Sequence, residues 1–378
     1  MRTGPLVRLA VISVVTAMTA LLVPAAVAAP APREAGRTPE WEVSSAGRLT
    51  WGSHLRSVTA AGRNAAWAVG SQSAADSGQQ GVLLRWDGRG WHEDRAPGLP
   101  EADHWISVSA AAPDDVWAYG WKGQEDLTAH FDGHRWQRVP LPEVPEGASH
   151  GSLAELATVP GGAWLAGDRY ISVHVGGAWH TTDLGPGHSI RDIQAVSTRN
   201  VWVVGASWAP GEDVRPVAKH WNGFGWEDEP PSEARLRLVH LYAESRNSLW
   251  AIGDVVPVGE NGSEHRLLHW DGQRWQEVPA PLEGLLPQAI NGDGRGGLWI
   301  TGDPEGWEGP PVYWHHDGRR WTEVRGDMVT GGATQAYSIA DLAPIGRTGR
   351  LWAVGSYSLL DGQGGANSYE LIQRSTRR

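Results

Sequence analysis

Leu84-Arg85-Trp86-Asp87-Gly88-Arg89-Gly90-Trp91 decides how this chain is read, because the same phrase is written five times. It returns as His130-Phe131-Asp132-Gly133-His134-Arg135-Trp136 and as His220-Trp221-Asn222-Gly223-Phe224-Gly225-Trp226. Two further copies are His269-Trp270-Asp271-Gly272-Gln273-Arg274-Trp275 and His315-His316-Asp317-Gly318-Arg319-Arg320-Trp321. An apolar run, an Asp-Gly or Asn-Gly pair and a Trp read as a β-hairpin. The pair tolerates φ > 0, and the Trp restarts the pattern on the return strand.

A second marker, Trp-x-x-Gly, occurs seven times, at Trp67, Trp117, Trp164, Trp202, Trp250, Trp299 and Trp352. About nine residues before each copy lies an apolar strand such as Leu55-Arg56-Ser57-Val58 or Ile190-Arg191-Asp192-Ile193. Each unit then holds four strands: A, the apolar opener; B, with Trp-x-x-Gly; C, ending at the hairpin; and D, starting at the second Trp. Units recurring every 38 to 53 residues predict an all-β fold, a seven-bladed β-propeller of four-stranded antiparallel blades.

The two ends of the chain are complementary. The last unit has strand A near Ile339–Leu342, strand B at Trp352 and strand C at Ser368–Arg374, but no strand D. Trp41-Glu42-Val43 precedes the first strand A and resembles Trp275-Gln276-Glu277-Val278. The N-terminal strand around Trp41 is therefore expected to complete the last blade and close the ring, removing an exposed sheet edge. The third unit is shorter, with Gly176-Gly177 in place of Asp-Gly and a tight B–C turn at Gly167–Tyr170, but keeps Trp164 and Trp179.

Residues 1–28 read as a secretory signal: Arg2 and Arg8, an apolar run from Leu9 to Val23, then Ala26-Val27-Ala28 as the cleavage site. Residues 29–38 read as a linker and 39–378 as the propeller, so the mature protein is expected outside the cell. The chain has no Cys, which excludes disulfides and thiolate metal sites. Its net charge is −11, which argues against nucleic acid and anionic membrane surfaces as partners. No membrane insertion, cofactor or metal is expected, and a monomer is.

Residues demanded by every unit serve the packing between blades. This applies to the B-strand tryptophans and to the D-strand set at 41, 91, 136, 179, 226, 275 and 321. It applies equally to His130, His174, His220, His269 and His315, which occupy one repeated strand-C position in different blades. Sheets packed about 10 Å apart cannot bring these imidazoles to one ion.

Function is expected where the repeat breaks. The C–D turns are uniform, whereas the B–C loops vary, as at Ser71–Gln80, Trp121–Asp126, Ala206–Arg215, Asp254–Glu264, Asp303–Pro311 and Ser356–Ala366. In a propeller the B–C and D–A connections share one face. Trp121, Trp208 and Trp307 fall in B–C loops, Trp51 in a D–A connection, and Trp105 replaces a strand-A aliphatic. Glu125, Asp126, Asp213 and Glu305 lie close by in sequence. Flat aromatic faces beside carboxylates suit sugar rings, so these nine residues form the candidate ligand site. Arg56, Arg191 and Arg237 sit near A strands in single copies and read as rim charges.

The pairing of Trp-x-x-Gly with Asp-Gly-x-x-Trp resembles the repeats of tectonin-type propellers, several of which are lectins. The resemblance runs from Trp41 to Arg374, with a longer period and with Gly70, Gly120 and their equivalents where tectonin repeats carry Asn. Kelch and galactose-oxidase-like propellers are similar more loosely. The oxidase's copper site needs a Tyr–Cys crosslink that a Cys-free chain cannot form. The resemblance implies a secreted, non-catalytic binding protein for glycan or a cell-surface polymer. A glycan-active hydrolase or lyase and a protein-interaction scaffold are the alternatives; no residue set forms a recognised catalytic constellation.

Overall fold

The computed structural model describes residues 40–74, 78–149, 154–256, 264–304, 309–329, 334–360 and 366–376. The signal and linker segments, together with Glu305 and Trp307, lie outside these residues. The described chain forms seven four-stranded antiparallel sheets, each hydrogen-bonded in the order A-B-C-D. Blade 1 is made of His54–Ala60, Ala66–Ser73, Gln79–Trp86 and Trp91–Glu93. The A strands of the next six blades are His104–Ala112, Glu155–Val159, His188–Ser197, Leu236–Ser245, Leu285–Gly292 and Thr334–Pro344. Each A strand packs against the A strands of its two neighbours, and blade 7 returns to blade 1. The fold is the seven-bladed β-propeller expected from the repeats.

Closure follows the expected route. Trp41–Ala46 pairs antiparallel with Ala366–Ser375, from Trp41 opposite Ser375 to Ala46 opposite Leu371. Trp41 is fully buried; it stacks on Tyr313 of blade 6 at 4.0 Å and meets Trp299 edge-on at 5.4 Å. The buried Glu370 holds the connection beyond this strand. Its carboxylate accepts from Arg48 N at 2.7 Å, Leu49 N at 3.2 Å and Ser53 Oγ at 3.3 Å.

Among the described residues the hydrophobic core is divided. Seven clusters of buried side chains lie one to each interface between blades. The B-strand tryptophans are buried in all blades but the fifth, where Trp250 keeps some exposure. D-strand tryptophans lie further out, and four of them reach back to the preceding blade. Trp136 Nε1 donates to Asp94, Trp179 to the Pro140 carbonyl, Trp275 to the Glu229 carbonyl and Trp321 to the Pro279 carbonyl.

The hairpin turn works differently from the simplest reading of Asp-Gly. Only the glycines take positive φ, as at Gly88 (91°) and Gly272 (92°). The Asp instead accepts two backbone N–H bonds: Asp87 Oδ1 from Arg89 at 2.8 Å and Gly90 at 2.9 Å, with the same arrangement at Asp132, Asn222, Asp271 and Asp317. These bonds favour the ionised form and hold the Asp87, Asp132, Asp271 and Asp317 carboxyls below their ordinary value.

The glycine of Trp-x-x-Gly also has a structural cause. Six A strands carry a register shift near their start, a β-bulge between Leu55 and Ser57 and its equivalents. At most of these bulges the strand presses a carbonyl onto the glycine opposite. A Cβ on Gly70 would lie 1.9 Å from His54 O, and one on Gly355 would lie 1.9 Å from Ser338 O. The unbulged third blade has no such constraint, and Gly167 there faces Tyr170.

Two expectations need correction here. His174 does not share the position of the other strand-C histidines. Val173 lies opposite Trp164, where four other blades place His, so His174 falls one position later and reaches across to the rings of Trp117 and Trp179 instead. In blade 2 the B–C segment Trp121–Asp126 is not a loop, because Trp121 pairs with Asp126 and Lys122 with Glu125 on extended strands.

Candidate functional site

The indoles that stand outside the repeat part into three groups. Trp51, between the closing strand and the first strand A, is 60% exposed, yet its backbone is held. Its carbonyl accepts from Ser73 N at 3.2 Å, while the adjacent Gly52 N donates to Ser368 O at 2.8 Å. Trp208, just past strand B of blade 4, is 50% exposed and donates its backbone N–H to Gly187 O at 2.7 Å. Both therefore present rings to solvent from an anchored main chain on the B–C/D–A face. Trp121 is half-buried and lies 4.9 Å from the His104 ring.

Trp105 is a correction. It is 1% exposed and belongs to the core between blades 1 and 2, packed with Trp67, Phe131 and Trp136. Its strand-A position faces the neighbouring blade, so it offers no surface to a ligand.

The acids expected beside these rings are engaged with other groups. Glu125 forms an ion pair with Arg138 of strand D in its own blade. Asp126 accepts from Tyr119 Oη at 3.0 Å. Asp213 accepts from Arg235 Nε at 2.9 Å. Arg235, with φ of 62°, is the one non-glycine residue in the left-handed region among the described residues. Such strain persists where the surroundings enforce it. Here bonds from Arg235 N to Val214 O and from Val256 N to Arg235 O pin the backbone.

The larger polar feature of this face is one the sequence reading did not assemble. An axial cavity of about 650 Å³ runs between the A strands, lined by Arg56, Glu155, Arg191, Asp192, His240 and Asp341 among others. The bulges set its lining, because the extra residue re-aims the side chains that follow. Several of these side chains clasp the next blade. Ser57 Oγ accepts from Val108 N, Ser107 Oγ from Leu156 N, Asp192 Oδ2 from Leu241 N and Asp341 Oδ2 from Val58 N. The Asp341 bond joins blade 7 to blade 1.

Burial deep in the ring dominates the electrostatics. Desolvation, reinforced by the mutual repulsion of the acids, pushes Glu155 up to about 8 and Asp192 up to about 7. Asp341 rises to about 7, by desolvation. His240 falls to about 4 for the same first reason, since burial penalises its cation.

At the mouth on blade 5, Arg237, Asp254 and His265 stand side by side across three strands. Arg237 Nη2 donates to Asp254 at 3.2 Å, and His265 Nδ1 lies 2.9 Å from its other oxygen. Arg191 from the neighbouring blade is close enough to Arg237 for their charges to repel. The Nε atoms of both arginines are buried without a hydrogen-bond partner, as is Asp303 Oδ1. The clue to this mouth lay in the polar residues of strand A. Without knowing that strand A is innermost, they read as rim charges.

Among the described residues no His, Cys, Asp or Glu cluster is arranged to hold a metal ion, and no helix is long and apolar enough to cross a membrane. The strand-C histidines instead stack on B-strand indoles, His220 on Trp202 at 4.4 Å and His269 on Trp250 at 4.2 Å.

No protein-family model and no curated protein matches the sequence. Solved structures do match. A GH74 xyloglucanase from Xanthomonas campestris aligns with a TM-score of 0.51 at 14% identity, over 87% of this chain and 55% of that one. An acylaminoacyl peptidase from Pyrococcus horikoshii aligns with a TM-score of 0.51 at 9% identity, over 82% of this chain and 51% of that one. The chain thus spans little more than half the length of either protein, and at these identities the likeness is one of fold.

Proposed function

We propose that the mature protein is an exported, non-catalytic binding propeller, which takes a glycan or cell-surface polymer on its B–C/D–A face as the tectonin-type lectins its repeats resemble would. The observation that carries this reading is the contrast in exposure. Trp51 and Trp208 hold bare rings on anchored backbone, while nearly all the repeated B-strand indoles are buried. Large rigid aromatic surfaces of this kind dominate binding energies elsewhere. A sugar ring stacks its C–H face on such an indole, and the polar channel mouth with Arg191 and Asp254 lies on the same face. Binding without chemistry is supported by the fate of the acids on this face, since Glu125 and Asp213 are held in ion pairs.

One observation favours a second reading, a glycan-active hydrolase or lyase. Glu155 and Asp192 face the channel with raised pKa values, as a general acid requires. The test is a glycan array with the mature protein, followed by titration of Trp51→Ala and Trp208→Ala against the hits and by product analysis. Each variant is expected to bind more weakly by about 1–3 kcal/mol, with no turnover by the wild type. Unchanged affinity in both would remove the face from consideration; cleaved glycan would establish the second reading.

A further inference from the structure

On the opposite face, where the A–B and C–D turns lie, a pocket of about 490 Å³ sits where blades 6, 7 and 1 meet. That size is within the range of about 300–1,000 Å³ typical of small-molecule sites. Its lining holds four arginines and no acid, in a chain whose net charge is −11. Arg295 comes from the A–B turn of blade 6, Arg350 from that of blade 7 and Arg63 from that of blade 1. Arg374, from the last strand C, is already paired with Glu42. Among the described residues Arg63, Arg295 and Arg350 have no carboxylate within ion-pair distance. Three arginines without a carboxylate partner thus line one pocket from three separate turns.

The local backbone is shaped around one of them. The Arg295 side chain crosses the blade 7 turn at Gly349, where φ is 76° and a Cβ would lie 2.9 Å from Arg295 Cδ. Trp86 and Trp352 supply the apolar part of the wall, and Trp86 Nε1 is fixed to the Arg63 carbonyl at 3.1 Å. Guanidinium groups bind tetrahedral oxyanions through paired N–H donors and repel one another when no anion is present. We propose that this pocket is a binding site for a small molecule bearing a phosphate or sulfate group, with Arg63, Arg295 and Arg350 holding the oxyanion and the Trp86 wall flanking the rest of the ligand. This site is independent of the glycan face.

The test is calorimetric titration of the mature protein with inorganic phosphate, inorganic sulfate, glucose 6-phosphate, glucose 6-sulfate and glucose, with sodium chloride holding ionic strength constant. Saturable binding of the oxyanions is expected, tighter for the esters than for the inorganic ions, with glucose silent at this site. The ratio of phosphate ester to sulfate ester affinity identifies which group the pocket prefers. Arg63→Ala and Arg295→Ala should each weaken binding at least tenfold and Arg295→Lys less. Arg319→Ala, on an exposed C–D turn of the same face, should leave it unchanged. Melting curves confirm that each variant is folded. Absence of saturable oxyanion binding at matched ionic strength, or equal affinity in wild type, Arg63→Ala and Arg295→Ala, would overturn the proposal.

Discussion

Replacing Trp41 with Ala tests the closure of the ring at a single side chain, and Trp51→Ala ten residues later supplies the control. A fully buried Trp removes about 150–250 Å² from water, an upper bound of about 4–6 kcal/mol at about 25 cal/mol/Å². Trp-to-Ala cavities cost about 3–5 kcal/mol. Trp41 should reach the upper half of that range, because its ring is stacked on Tyr313, meets Trp299 edge-on and is fully buried, so the site has little freedom to collapse. Unfolding entropy of about 2.1 cal/mol/K per residue over roughly 340 residues gives about 0.7 kcal/mol/K. A loss of about 4 kcal/mol then lowers Tm by about 6 °C. Trp51, 60% exposed, should shift Tm by less than about 1 °C, as surface substitutions do. Differential scanning calorimetry at one scan rate measures both. Equal Tm losses for the two variants would refute the closure argument, and so would a wild-type Tm for Trp41→Ala.

Four further outcomes follow from the same contacts. A chain beginning at Gly47 lacks the closing strand and should melt lower or aggregate, whereas one beginning at Arg33 should match the full mature chain in light scattering and Tm. Trp202→Ala should cost about 3–5 kcal/mol in urea denaturation, and Trp208→Ala close to nothing. Glu370→Ala strands two backbone N–H groups and the Ser53 hydroxyl; it should destabilise by about 3 kcal/mol, with Glu370→Gln recovering part of the loss. Glu155, Asp192 and Asp341 hold protons in the fold that the unfolded chain releases, so their contribution is complete near pH 4 and is lost as pH rises through 7 to 8; Tm should fall from pH 5 to pH 8, and Asp341→Asn should flatten that slope.

The parts of the fold that were legible in the sequence are those set by local chemistry repeated in register. The hairpin turns, the seven Trp-x-x-Gly strands and the unmatched strands at the two ends all have short-range signatures. What escaped depends on neighbours supplied by distant residues. Glu125 looks free until strand D of its own blade places Arg138 beside it, and Asp213 until the following D–A connection delivers Arg235. Trp105 looked like an exposed exception, but its strand faces the adjacent blade, and a larger side chain there simply fills that interface. His174 misleads because it lies five residues before Trp179, where the other strand-C histidines lie six before theirs, and one position along a strand puts a side chain on the opposite face. The axial carboxyls were invisible as a group because they belong to different blades and meet only once the ring has closed.

Closure by the first strand also fixes an order of events during synthesis. Glu42 and its partner Arg374 are 332 positions apart, so the strand made first is paired last. At about 5–20 residues per second it waits roughly 15–65 s for its partner. Bringing such distant segments together carries a chain-entropy cost of about 5 kcal/mol, recovered only when Trp41 is buried. Throughout that interval the ribosome-proximal blades are complete on one side only, and the free strand is a ready template for pairing with another copy. Its composition, Trp41-Glu42-Val43-Ser44-Ser45-Ala46, is suited to the wait: a single large apolar residue next to a charge and followed by two serines has little tendency to self-associate. A hydrophobic substitution at Glu42 would leave the finished ring nearly as stable while making its assembly far more prone to aggregation.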